Sequence, residues 1–196
     1  RLARGDAELE EDGARIVSDA ARAILLKLGV PAREAELAAI AGYLHDLGNL
    51  VNRENHALTG SAMARDILQT MGMPAAEVAD IVAAIGHHQE ENGEPMSGIS
   101  AALILADKID VHRGRVRKSN QMDFDTHDRV NHSAKRSVVK VSRKRRTIRY
   151  DLTIDTRLSR VMDYFEIFMS RMIIARKAAA FLGCRLELVI NGAKML

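Results

Sequence analysis

Tryptophan is absent from this 196-residue chain, and four phenylalanines and three tyrosines bring the aromatic share to only 4%. A core for a chain this long must therefore come from Leu, Ile, Val, Ala and Met, the usual filling between packed helices. Only three prolines interrupt it, which leaves room for uninterrupted helices. The single cysteine, Cys184, excludes a disulfide framework and a Cys-based zinc site and fits a reducing cytosol. No apolar run approaches the roughly 18 residues of a membrane span. No signal-peptide pattern is seen either, so a cytoplasmic protein with no membrane partner is expected.

Charge is present in quantity but unevenly placed. The net charge is +3, yet residues 1–110 carry 9 Lys and Arg against 18 Asp and Glu, whereas residues 111–196 carry 20 against 8. An acidic first part suits cations, and a basic second part suits phosphate or nucleic acid. Differently solvated surfaces would give the same imbalance.

Helical periodicity dominates the first part. Residues 8–29 place Ile16, Val17, Ala20, Ile24, Leu25 and Leu28 on one face, with Gly29 as the stop. Pro31 opens a second helix that runs through Leu37, Ile40 and Leu44 to His45-Asp46. His56 starts a third, Met73-Pro74 a fourth that ends at Gly86-His87-His88, and Ile99 a fifth that reaches about Val111. Residues 112–136 are polar and weakly periodic. Beyond them, Val138–Val141 and Thr147–Ile154 alternate as strands around the basic tip Arg143-Lys144-Arg145-Arg146. Residues 156–182 predict a long helix, with Leu158, Val161, Met162, Phe165, Phe168, Met169, Met172 and Ile173 inward, and Leu186–Ile190 a last strand before an Asn191-Gly192 turn. The expectation is a mainly α protein: a helical domain over 1–130 and a small α+β unit over 131–196.

The chemistry-bearing residues lie at helix ends. His45, Asp46, His56, His87, His88 and Asp107 border polar loops, and antiparallel packing would bring them to one face. A buried His-Asp pair is costly unless it is hydrogen-bonded, paired or bound to a metal. Mixed imidazole and carboxylate donors suit Mn²⁺, Fe²⁺, Co²⁺, Ni²⁺ or Zn²⁺. Six donors exceed what one tetrahedral ion takes, so two ions bridged by Asp46 are expected. Such a pair lowers the pKa of a bound water to about 7 and clamps phosphate oxygens for in-line attack.

His45-Asp46-Leu47-Gly48, then His56, His87-His88 and Ala106-Asp107, in that order, resemble the HD superfamily of metal-dependent phosphohydrolases over about residues 8–115. Gly86 to Pro95 is similar to the matching stretch of the HD-GYP branch, which hydrolyses cyclic di-GMP. The resemblance implies an HD-type helical bundle and a binuclear phosphoesterase site at His45, Asp46, His56, His87, His88 and Asp107. Three departures stand out. No His precedes His45, where the family has a ligand on its first helix near the position of Gly13, so either Glu10 or Asp12 substitutes or one metal position is weakened. Asn49 stands where a Lys is frequent, and Gly93-Glu94-Pro95 lacks the Tyr of Gly-Tyr-Pro.

The expected activity is hydrolysis of a nucleotide or other small phosphate ester by a metal-bound hydroxide, with Asp46 as the catalytic carboxylate. Lys108, Arg113 and Arg115 are the candidate phosphate contacts. The alternative is a metal-binding but catalytically silent regulatory or interaction module. The partner expected is a small phosphorylated substrate. Nucleic acid at the basic hairpin is the weaker reading, because no aromatic residue is interleaved there to stack bases. Homo-oligomerisation is left open.

Overall fold

The computed structural model describes residues 4–109 and 126–196, with side chains described over 13–109 and from 128 onward. Helix α1 (Arg4–Leu28) packs along α2 (Ala32–Leu44). The contact is close because Gly42 has no side chain: a Cβ there would stand 2.8 Å from the Ser18 Cα. Ser18 Oγ donates to the Ala39 carbonyl at 2.8 Å across the same junction. A 3-10 turn, Leu47–Leu50, follows α2, and then come α3 (His56–Thr70), α4 (Ala75–Gly86) and α5 (Gly98–Ile109). Pro31 and Pro74 sit at the N-caps of α2 and α4, where a fixed φ favours helix entry and no amide proton is missed.

Helix α5 is the axis of the molecule. Every residue from Ile99 to Ile109 is buried, and α1, α2, α4 and a later helix all pack on it. A helix apolar nearly all round belongs in a core. Its last turn, however, carries Asp107 and Lys108 into that interior, so their charges must be satisfied there.

The remaining elements are α6 (Thr126–Ser133), β1 (Ala134–Ser142), β2 (Thr147–Ile154), α7 (Val161–Phe181), β3 (Arg185–Ile190) and β4 (Ala193–Lys194). The sheet order is β1-β2-β3-β4; β1 and β4 run antiparallel to their neighbours and β2 pairs parallel with β3. Parallel neighbours need a crossover, which α7 supplies. Along β2, Ile148, Tyr150, Leu152 and Ile154 turn inward and join the helices in one continuous core. The Asn191-Gly192 turn has positive φ at both residues (51° and 82°), the geometry this dipeptide favours in a tight hairpin. It creates β4, a two-residue strand too short to leave a hydropathy pattern.

Three expectations need correction. Residues 156–160 are not helical: Arg160 is extended, and α7 begins where Asp163 accepts the Arg160 amide at 2.9 Å as a cap. The inward face of α7 is Tyr164, Phe168, Met172, Ala175 and Ala179, whereas Met162 and Met169 are 61% and 51% exposed. Large apolar residues surround most of this helix, so periodicity alone did not choose the face; small alanines at the contact did. The basic hairpin tip is also partly spent. Arg146 donates to the carbonyls of Gly183 (2.9 Å) and Leu182 (2.8 Å) at the end of α7, and the Arg143 guanidinium covers Gly29 at the end of α1. Cations at helix C-termini complement the macrodipole. Lys144 and Arg145 remain exposed. Among the described residues no helix is long and apolar enough to cross a membrane.

The sheet grips the end of α5. Tyr150 Oη donates to the Leu105 carbonyl at 2.7 Å, and Ser137 Oγ to that of Ile109. Tyr150→Phe is expected to lower unfolding stability by about 1 kcal/mol, measured by denaturant titration, with helix content unchanged by circular dichroism.

Candidate metal centre

His45 caps α2, and Asp46 follows it in the sparsely populated bridge region (φ −96°, ψ 7°). The chain then turns under itself at Gly48. A Cβ on Gly48 would strike the carbonyl oxygen of His56 and stand 2.7 Å from the Gly60 amide. That close approach locks the turn after Asp46 to the first residue of α3, which is His56. Asn55, left-handed at φ 57°, delivers the chain to that point. His88 follows the C-cap of α4, and Asp107 lies in the last turn of α5. Two loop junctions and one helix end thus converge, and His45, His88 and Asp107 are buried.

The three imidazoles share one device. His45 Nδ1 lies 2.7 Å from the Gly42 carbonyl, His88 Nδ1 2.6 Å from that of Ile85, and His56 Nδ1 2.9 Å from that of Arg53. A carbonyl only accepts, so each Nδ1 carries a proton, and each ring, when neutral, presents its Nε2 lone pair. Those lone pairs meet. His56 Nε2 is 3.3 Å from His88 Nε2 and 3.3 Å from Asp46 Oδ1; His45 Nε2 is 3.4 Å from Asp46 Oδ2 and 3.8 Å from Asp107 Oδ1. Two groups result, His45-His88-Asp107 and Asp46-His56-His88, with the ligand atoms of each within 4.8 Å of one another.

Acceptors facing acceptors repel unless a cation lies among them. Three nitrogen lone pairs and two carboxylates form a donor set that fits a divalent first-row metal, with each ring oriented by a backbone carbonyl behind it. Burial pushes the His88 imidazole down to about 4, so it is neutral at pH 7. Asp46 keeps 44% of its side chain open. Desolvation pushes its carboxyl up, but His45 and His56 outweigh that and hold it well below the usual range. Asp46 raises His56 because a proton taken up at Nε2 would be donated to that carboxylate, so the position favours a positive charge, whether proton or metal.

Asp107 has company behind it. Burial alone would raise its pKa, and the Lys108 ammonium, followed by His45 and His88, holds it well below the usual value. Lys108 in turn lies 3.3 Å from Glu90, and Glu90 3.0 Å from Arg171 Nε on α7. Alternating charges therefore run from the centre through Lys108 and Glu90 to the C-terminal helix. The Arg171 guanidinium also stacks 5.0 Å over Phe168.

Of the expected ligands, His45, Asp46, His56, His88 and Asp107 come together. His87 is half-buried at the C-cap of α4 and stands in neither group. Lys108, expected at a substrate phosphate, is buried with its ammonium on Asp107 and Glu90. Arg113, Arg115 and the side chains of Glu10 and Asp12 lie outside the described residues. Glu90 and Arg171 were not anticipated. Glu90 follows His88 closely enough to have been suspected, but Arg171 carries no local signal. Above His56 a cleft of about 650 Å³ opens between residues 52–55 and 89–92.

Two variants test this construction. Gly48→Ala should destabilise the fold by about 1–3 kcal/mol and displace His56, so a thermal melt would show both a lower midpoint and a smaller gain on adding Mn²⁺. Arg171→Met should weaken Mn²⁺ binding by about 10-fold in equilibrium dialysis, with Arg171→Lys recovering part of the loss.

A comparison with curated proteins gives no significant match. A family model for the HD domain matches residues 14–113, half of the chain, from within α1 to just past α5. That family consists generally of metal-dependent hydrolases. All five converging donors fall inside the matched span, and the chain belongs to the HD domain family.

Proposed function

We propose that the protein is a metal-dependent phosphohydrolase acting on a small phosphate ester. The observation that carries this reading is the convergence of three imidazole Nε2 atoms and two carboxylates, with each ring held from behind by a backbone carbonyl. A divalent ion held there supplies Lewis acidity and lowers the pKa of water at neutral pH. The reaction itself is simple in its balance: a water oxygen forms a bond to phosphorus, the bond from phosphorus to the alcohol oxygen breaks, and the alcohol leaves with a proton.

The chain's own residues divide the work. Asp46 turns one carboxylate oxygen towards His45 and the other towards His56, so it would share in holding metal on both sides. His88 belongs to both groups, and its single Nε2 lone pair would serve one ion. Metal would be held by His45, His88 and Asp107 and by Asp46, His56 and His88, and would supply the Lewis acidity. Lys108 keeps Asp107 charged and in place. Arg113 and Arg115, which follow α5 in sequence, are assigned to the substrate phosphate.

A second reading has its own support: no His precedes His45, and Asn49 stands in place of the frequent Lys. It describes a module that holds metal and turns nothing over. The test is a phosphoester screen with Mn²⁺, Ni²⁺ and Zn²⁺ on the native protein and on the double variant His45→Ala/Asp46→Ala. The native protein should hold stoichiometric metal and hydrolyse at least one ester, and the variant should lose both, with metal affinity down by at least about 100-fold. Full turnover by the variant would sink the site assignment. Metal without turnover of any ester would favour the silent module.

A further inference from the structure

The cleft above His56 has an unusual lining. Ligand pockets are mostly apolar with a few polar groups, yet residues 52–55 and 89–92 are Asn-Arg-Glu-Asn and Gln-Glu-Glu-Asn, and with His56 they line the cleft without one apolar side chain among the described residues. Its volume of about 650 Å³ is ample for a small metabolite. The metal donor His56 forms part of its wall, so a phosphate at the centre would leave the rest of its substrate in this space.

Two properties restrict that remainder. The first is the scarcity of stacking surface. A nucleobase gains about 1–3 kcal/mol from an aromatic face, and among the described residues the lining offers only the His56 ring, already a donor of the metal centre, with no Phe, Tyr, Trp or aliphatic side chain. The second is charge. The lining carries Arg53 against Glu54, Glu90 and Glu91, and Glu90 is already held by Lys108 and Arg171. Glu54 and Glu91 are exposed, and the ion pairs among the described residues do not include them. A second or third phosphate would meet these carboxylates. Hydroxyl groups would not: carboxylates and amide oxygens accept O–H donors, and Arg53 and the amide NH₂ groups donate to hydroxyl oxygens.

Resting on the phosphohydrolase reading, we infer that the substrate is a monophosphate of a sugar or polyol, with its phosphate at the metal centre and its hydroxyls held in the 52–55/89–92 cleft by Glu54, Glu91, Asn92 and Arg53. Selectivity then follows from unpaired groups. A site built for hydroxyls penalises a ligand that buries its polar atoms without partners.

The experiment uses the full chain loaded with Mn²⁺ and measures both turnover and calorimetric binding. The probes are hexose, pentose and glycerol monophosphates, purine and pyrimidine nucleoside 5′-monophosphates, and p-nitrophenyl phosphate. Sugar and polyol phosphates should lead the other two classes by at least about 10-fold in kcat/KM and in binding. In Glu54→Gln/Glu91→Gln, KM for the sugar phosphates should rise and the lead over p-nitrophenyl phosphate should collapse. Equal or better use of nucleotides or the aryl ester, or an undiminished lead in the double variant, overturns the inference and leaves the phosphohydrolase reading standing. Selective sugar-phosphate binding with no turnover of any ester supports the cleft assignment and overturns the phosphohydrolase reading instead.

Discussion

The structure turns on three imidazole protons. His45, His56 and His88 each donate Nδ1–H to the carbonyl three residues earlier, and that local bond fixes the tautomer of each ring. The consequence is collective, because every Nε2 lone pair then faces the same small volume as the carboxylates of Asp46 and Asp107. Lys108 offsets the charge of Asp107 alone, which leaves Asp46 and the imidazole lone pairs unbalanced. The cluster needs a cation, and the fold holds it together by packing elsewhere.

That packing has two sources. Close backbone contact at Gly48 and Gly60 ties the turn after Asp46 to the start of α3, so two donors share one rigid junction. The buried helix α5 delivers Asp107 from the other side, and the sheet secures its last turn through Tyr150 and Ser137. The C-terminal elements therefore do more than cover apolar surface. Arg171 on α7 holds Glu90, which holds Lys108, whose ammonium lets the Asp107 carboxylate stay ionised in the interior.

The helices were legible because their apolar residues recur at helical spacing, and Pro31, Pro74 and Gly29 punctuate them. His45, Asp46, His56, His88 and Asp107 were legible because each is a metal-ligating type at a helix edge, in a recognisable order. Local sequence could not say which of two adjacent histidines reaches the centre, since that depends on the backbone angles after α4. Nor could it place Lys108, whose neighbours Asp107 and Glu90 meet only once α5 and the 89–92 loop pack. Arg171 was beyond reach for the same reason: the apolar pattern of α7 concealed the one cation aimed inward. The Arg143–Arg146 run was visible as charge, but its use on the ends of α1 and α7 is a tertiary fact.

The central claim is that these five side chains form one cation-binding centre. Anomalous diffraction at the manganese edge, from crystals grown with Mn²⁺, addresses it directly. Anomalous density is expected between Nε2 of His45, His56 and His88 and the carboxylates of Asp46 and Asp107, with each Nδ1 still on its backbone carbonyl. Manganese bound elsewhere, or an ion-free cluster with its rings turned to bring Nδ1 inward, would contradict that claim.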